Sequence, residues 1–412
     1  MEGGAVPAKL SDSDRQKVEQ LRAEVKEYLT PYYDTDFNLL RWLVGHDYNM
    51  ELLKPKLINH LILRKVEDWN LDGLMATPRN HAVHAYWKSG LTGEAVKTPN
   101  AIVNIEQSGT NDYWGLLQTY PTNVILRARV YDLESMLAAV MKMEARTGER
   151  ASMLFIMDLT GLKFDRNLTT LITGGLASLA AFMSDHYVEL IHTFVLVNVP
   201  SFIHAIWTLA RPLLPERTRS KVNILGSNWR QEILELADAS ALPSFWNVYG
   251  SSVFTAQIER AVPVAQELYY KGSMPPEPQS LSCKAGKSTT IDMDLMEVSL
   301  THIPSLSFYF FLKLFISVAH LTHFQGQSIH YLLHADGQFA IAIYYSDDVN
   351  RDGENIERWK RVYPLFQKIP GPTIVPMKDS LKCPYTGTYK MWLSNEHAWF
   401  HTLKITYHLT IE

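Results

Sequence analysis

Asp158 closes the apolar run "SMLFIMDL" (152–159), and an acid at the end of such a run is where α/β folds often place chemistry. No base, nucleophile or metal ligand lies near it in sequence, so a structural role is the better reading: its carboxylate caps the turn at Thr160-Gly161. His186 and Glu189 are three residues apart, a spacing that on a helix puts both on one face and can hold a metal. No second ligand pair accompanies them, which favours a surface or headgroup role. His320, His323, His330 and His334 also group in sequence. The first two fall in an unusual apolar run, and the last two share a strand face too far apart to hold one ion unaided. "AGKST" (285–289) has the ending of a phosphate-binding loop, but Leu281 stands where that loop needs glycine. No Gly-x-Gly-x-x-Gly follows a strand-like run and no Gly-x-Ser-x-Gly occurs, which weakens dehydrogenase and hydrolase readings. Neither a catalytic residue nor a metal site is expected.

The elements around these residues fall into three zones. In 11–75, "SDRQKVEQLRAEVKEYL" follows a serine cap and repeats Val18, Leu21, Val25 and Leu29 at threes and fours. "DFNLLRWLVG" places Phe37, Leu40 and Leu43 on one face, and "MELLKPKLINHLILRKVEDW" supplies a third helix. From about 80 to 250, buried-strand runs at 101–105, 152–159, 192–199 and 221–225 alternate with helical stretches at 132–148, 167–190 and 201–214. That alternation predicts a largely parallel sheet with crossover helices. Beyond about 260 the period becomes two. "AWFHTLKITYHLTI" puts Trp399, Leu403, Ile405, Tyr407, Leu409 and Ile411 on one face. "GTYKMWLSNEHAWF" reads as a strand turning into it at Asn395-Glu396, and "IHYLLHADGQFAIAIYY" as a hairpin around Asp336-Gly337. The proline-rich 272–282 reads as an extended loop before this antiparallel sandwich.

With 46% hydrophobic and 20% charged residues the composition is that of a globular protein, and a formal charge of −4 gives no global pull toward nucleic acid or anionic membrane. Cys283 and Cys383 allow at most one disulfide, and "MEGGAVPAKLSDSDRQ" is no signal peptide, so the sequon at Asn167 reads as chance and the cytoplasm as the default location.

The helix at 201–214 carries an apolar stripe of Phe202, Ile206, Leu209 and Leu213, widened by Ile203, Trp207 and Ala210; periodicity alone makes it a core-packed crossover helix. Its surroundings are more specific. "LLRWL" (39–43), "MDLTGL" (157–162), "YVELIHTFVLVNVPSFIHAIWTLARPLL" (187–214), "TRSKVNILGSNW" (218–229) and "LPSFWNVYG" (242–250), in that order, resemble the CRAL-TRIO lipid-binding family over about 11–250. "GTYKMWLSNEHAWFHTLKITYHLTI" resembles a GOLD sandwich, the partner domain in the supernatant-protein-factor-like phosphatidylinositol and tocopherol transfer subgroup. The resemblance implies α/β plus all-β architecture: a helical lobe at 11–75, a lipid-pocket domain with a mainly parallel sheet at 76–251, and an antiparallel GOLD β-sandwich at 260–412. It also implies a gate helix over about 202–217 and no catalysis. Members that bind phosphatidylinositol carry a glutamate, a lysine and a threonine at positions that read here Glu189, Lys221 and Thr218. Lysine suits a phosphate, and the other two suit inositol hydroxyls. Val188 stands where that motif has proline, and Leu190 and Thr193 replace polar or basic residues, which leaves room for a tocopherol- or isoprenoid-like ligand.

The expected protein is therefore a soluble carrier that holds one hydrophobic ligand and needs no cofactor. It meets membranes transiently, the Golgi among them, and binds no nucleic acid. The competing expectation is a trafficking adaptor whose GOLD domain recruits a Golgi or vesicle partner, with the lipid domain as tether. One segment fits neither: "SLSFYFFLKLFISVAHL" (305–321) opens an apparent insertion at 305–325. With Lys313 near its middle it falls short of the ~20 apolar residues a membrane span needs. It reads as a helix or strand added to the sandwich, as a segment lying against a membrane, or as a translated, unspliced intron.

Overall fold

A computed structural model describes residues 9–66, 69–79, 81–210, 219–295, 327–347, 356 and 359–412. The apparent insertion at 305–325, with His320 and His323, lies outside the described residues. The chain divides into two compact units, one running through Lys271 and the other from Gly272 to the C-terminus.

The first unit opens with three helices, α1 (Asp12–Val25), α2 (Asp36–Gly45) and α3 (Met50–Arg64). Ser11 caps α1 through a reciprocal box with Asp14, and Val18, Leu21 and Val25 turn inward. α3 stops at Arg64, short of the expected Trp69, and that arginine ties the lobe to the rest of the unit. Its guanidinium forks onto Glu134 at 2.8 and 3.0 Å and reaches Asp72 at 2.7 Å, while Tyr187 donates to the same Glu134 at 2.9 Å. A buried carboxylate satisfied by three donors fixes helix positions, because breaking one contact strands a charge away from water.

The sheet of this unit has five strands in the order β1-β2-β3-β4-β5. These are β1 (Leu91–Glu94), β2 (Ala101–Glu106), β3 (Ser152–Asp158), β4 (Ile191–Val197) and β5 (Val222–Ile224). β1 pairs antiparallel to β2 and the remaining pairs are parallel, so the sheet is mixed. The connections are α4 (Tyr113–Thr119) with α5 (Thr122–Thr147), then α6 (Arg166–Thr173) with α7 (Gly175–His186), then α8 (Ser201–Ala210). The stretch expected as one helix over 167–190 breaks at Gly174 and ends at His186. One sheet face is packed solid: Val103, Ile105, Leu154, Ile156, Val195 and Val197 meet Trp229, Ile233, Leu242, Trp246 and Phe254 from the segment after β5.

Among the described residues the second unit holds two four-stranded sheets, β10-β9-β12-β7 and β11-β8-β13-β6, antiparallel at every pairing. Its strands are β6 (Gln279–Cys283), β7 (Ser288–Leu295), β8 (Ser328–Ala335), β9 (Phe339–Ser346), β10 (Lys360–Ile369), β11 (Met377–Lys382), β12 (Gly387–Ser394) and β13 (Leu403–Ile411). Two expected hairpins are corrected. β8 and β9 join opposite sheets, as do β12 and β13, so each short connection is a corner. The corner at 336–337 is crowded: a Cβ on Gly371 would lie 1.9 Å from the Gly337 carbonyl oxygen. At the other, buried Asn395 donates to the carbonyls of Cys283 (3.0 Å) and His401 (2.8 Å), stitching the bend. β13 begins at Leu403, so Trp399, expected inside, is 87% exposed.

Candidate functional site

Residues 155–157 of β3 and 194–196 of β4 alternate in direction, as strand geometry requires. Ile156 and Val195 enter the packed core, while Phe155, Met157, Phe194 and Leu196 face the other way and floor a cavity of about 620 Å³. Its wall comes from Leu168, Leu171 and Ile172 on α6, and from Leu176, Leu179, Ala180 and Met183 on α7, with Ile203 of α8 added. By length and composition Arg166–His186 is also apolar enough to cross a bilayer. The chain uses this apolarity to line a hollow.

One corner of the cavity is polar. Glu106, the last residue of β2, is 6% exposed. Its Oε1 accepts from Trp87 Nε1 (2.8 Å), Asn111 Nδ2 (2.6 Å) and Tyr113 OH (2.9 Å), and its Oε2 lies 3.4 Å from Arg129 of α5. Burial pushes the Glu106 carboxyl up from its usual range against the pull of Arg129 and of these hydrogen bonds. The Arg129 guanidinium lies 5.1 Å from the Trp87 ring and 5.9 Å from Phe155, so it bridges the charged corner and the apolar floor. The arrangement can seat a molecule that is apolar along most of its length and polar at one point.

The sequence reading missed this corner. The signal was present: Glu106 ends "AIVNIE" as Asp158 ends "SMLFIMD", and only the second was weighed. Asp158 itself has the structural role expected. It accepts from the Thr160 backbone (3.0 Å), from Asn198 (2.9 Å) and from Trp246 Nε1 (2.8 Å), tying two loops to the packed face.

Glu189 and Lys221 are brought together, with Lys221 Nζ donating to Glu189 at 2.7 Å and to the Ile191 carbonyl at 3.2 Å. Arg150 approaches the other Glu189 oxygen at 3.4 Å. Glu189 sits beyond the end of α7 with φ at +54°, a left-handed conformation unfavourable for a side-chain-bearing residue. Close approach of α2 accompanies it, since a Cβ on Gly45 would fall 2.0 Å from Val188 Cγ1. His186 faces His60, with Nδ1 atoms 3.3 Å apart, and among the described residues no group of three or more His, Cys, Asp or Glu side chains could hold a metal ion. Neither Glu189 nor Lys221 lines the cavity.

Of the expected gate residues, Ile203 lines the cavity and Phe202 packs on Phe164 with ring centroids 5.5 Å apart. Trp207 is half-buried and Ile206 is 37% exposed, so α8 is not the core-packed helix that periodicity alone gives. The Leu209 side chain, Leu213 and Thr218 lie outside the described residues.

Comparison with known proteins agrees with this geometry. The CRAL/TRIO domain model matches residues 102–247, a domain of unknown function (DUF8435) matches 10–74, and an F28H7_8_C-like C-terminal domain matches 316–412. The last match begins inside the apparent insertion. CRAL-TRIO domain-containing protein F28H7.8 of Caenorhabditis elegans is 25% identical over 98% of this chain and 92% of its own length. Phosphatidylinositol/phosphatidylcholine transfer protein SFH4 of Arabidopsis thaliana is 26% identical over 54% of this chain and 37% of its own. Sec14 cytosolic factor of Schizosaccharomyces pombe is 23% identical over 58% and 83%. Residues 102–247, with their mixed sheet and its hollow face, match the CRAL/TRIO domain model, and a C-terminal region of antiparallel sheets follows.

Proposed function

We propose that this protein carries one amphiphilic lipid, with a phospholipid as the leading candidate, and exchanges it between membranes from the cytoplasm. The observation that carries this reading is the cavity of about 620 Å³, apolar on floor and wall with the buried Glu106–Arg129 pair at one corner. Each methylene taken from water contributes about 0.8 kcal/mol, so a hollow of this lining offsets removal of an acyl chain from a bilayer without any chemical step. α8 is the gate: Ile203 touches the cavity while Ile206 is open to solvent, as a helix that alternately covers a ligand and lies on a membrane requires. The name of the plant relative supports a phospholipid, and tocopherol- or isoprenoid-like ligands are the alternative. The GOLD-like identity of the C-terminal sheets rests on sequence resemblance alone.

Lys221 and Glu189, off the lining of the cavity, are the headgroup contact we propose for an inositol lipid. Lys221 is held by Glu189, so an incoming phosphate competes for a lysine already positioned at 2.7 Å. Organic extraction of the purified full chain followed by mass spectrometry tests the carrier reading: stoichiometric lipid is expected. A chain that is empty, and that takes up none of the phospholipids or tocopherol offered in vesicles, overturns it. Lys221→Ala should lower phosphatidylinositol uptake about tenfold while leaving phosphatidylcholine uptake unchanged; equal uptake of both would remove the headgroup assignment.

A further inference from the structure

The second unit carries an exposed aromatic pair that nothing in the lipid cavity explains. Trp399 and Phe400 are 87% and 92% exposed in the connection between β12 and β13. This loop is held at both ends. Asn395 exchanges backbone bonds with Gly286 (3.1 Å) and Lys287 (2.8 Å), and His401 Nε2 lies 3.0 Å from Asp336. The Lys404 backbone also donates to Asp336 at 2.8 Å. A pinned loop that still presents two adjacent large aromatics to water bears a standing hydrophobic cost, which a bound surface would relieve.

The neighbours indicate which surface. The β6–β7 turn beside the loop carries exposed Lys284 and Lys287, and exposed Lys404 follows at the start of β13. Lys368 lies at the end of β10, at the same end of the sheets, and Ile374 in the β10–β11 connection is 39% exposed. Against these stand Glu396 and Asp336, the latter already engaged by His401 and Lys404. Aromatics ringed by lysines match a bilayer interface: the indole and phenyl rings seat at headgroup level, and the ammonium groups meet anionic phosphates. A protein partner would need a pocket shaped to this protrusion, whereas a fluid bilayer accepts it as it stands.

We propose that the Trp399–Phe400 loop, with Lys284, Lys287 and Lys404, is a membrane-docking site of the C-terminal unit, specific for anionic lipid surfaces. It rests on the carrier reading only in that a carrier must meet membranes; the contact itself is separate from the gate and the cavity. The test is co-sedimentation of the full chain with phosphatidylcholine vesicles containing about a fifth phosphatidylserine. The double variant Trp399→Ser/Phe400→Ser should bind at least about tenfold more weakly, with its thermal unfolding and its extracted lipid content unchanged. Lys284→Glu/Lys287→Glu should lose the preference for anionic over pure phosphatidylcholine vesicles. Wild-type binding by the aromatic variant overturns the proposal, whether or not the chain carries lipid. So does a wild-type chain that ignores these vesicles, even if it captures a protein through this loop. Because lipid content is read separately, an empty cavity counts against the carrier reading and leaves the docking result to stand or fall by itself.

Discussion

The two faces of the five-stranded sheet are built from the same strands and nearly the same residue types, yet one is filled and the other hollow. Ile156 and Val195 meet a layer of tryptophan, leucine and phenylalanine supplied by the chain after β5. Phe155, Met157, Phe194 and Leu196, one residue away in each strand, meet space. The difference lies in what covers each face. The filled face receives Trp229 and Trp246, whose rings pack edge to face at 5.0 Å. On the hollow face α6 and α7 present apolar side chains that stop short of the floor. Burial in an apolar environment therefore has two outcomes here, cohesion and vacancy, and only the second leaves room for a ligand.

Truncation gives the sharpest way to break this comparison. Ile156→Ala should cost about 2–5 kcal/mol in urea unfolding, because it opens a void in packed surroundings. Leu196→Ala in lipid-free protein should cost about 1 kcal/mol or less, since its methyls already lack partners on one side. Equal losses would mean the cavity collapses when empty. Enlargement reverses the order of interest: Leu196→Trp should cut lipid uptake about tenfold, measured by transfer between vesicles, with little change in stability. Overpacking the other face with Ile156→Phe should cost about 1–3 kcal/mol of stability.

The smallest expected effect concerns α7, which also has a filled and a hollow side. Its filled side ends in His186 against His60, which is fully buried among Tyr33, Trp42 and Tyr187. Burial, with Arg64 and His186 nearby, holds the His60 imidazole well below its usual range. The unfolded chain then binds this proton first as pH falls. The stability this provides is present above the unfolded value of about 6.5 and is lost on acidification below it, at up to about 1.4 kcal/mol per pH unit. Urea unfolding at neutral and mildly acidic pH should show a shallower pH dependence for His60→Gln; identical slopes would show that another group governs the loss.

Much of the site's framework was legible in sequence because period and punctuation are local. The strands at β3 and β4, the capped α1 and the turn bound by Asp158 all follow from patterns a few residues long. Other features turned on distant partners. α5 begins after Pro121, ten residues before the expected start at Asp132. An aspartate ahead of an apolar run looks like a helix cap, but Asp132 is buried on Arg79 at 2.9 Å and so belongs inside the helix. The corners after β8 and β12 looked like hairpins because a short turn between alternating runs is the same text whether the next strand pairs with its neighbour or crosses to the opposite sheet. Glu106 was legible as an acid at a strand end, but its partners Trp87, Asn111, Tyr113 and Arg129 were not.

Sequence alone determined which residues leave water and with what period, since alternation along a strand and threefold-to-fourfold spacing along a helix are set by backbone geometry. It thereby determined the α/β and antiparallel regions and the order of motifs that resembles a lipid-binding family. Tertiary structure decided what each apolar face meets. It paired Glu189 with Lys221 and left Trp399 and Phe400 in solvent. It also packed one sheet face against tryptophans and left the other over a void. The reason is physical: hydrophobicity drives a side chain out of water without specifying its destination, and only the arrangement of distant segments sets whether that destination is a neighbour or a space for something else.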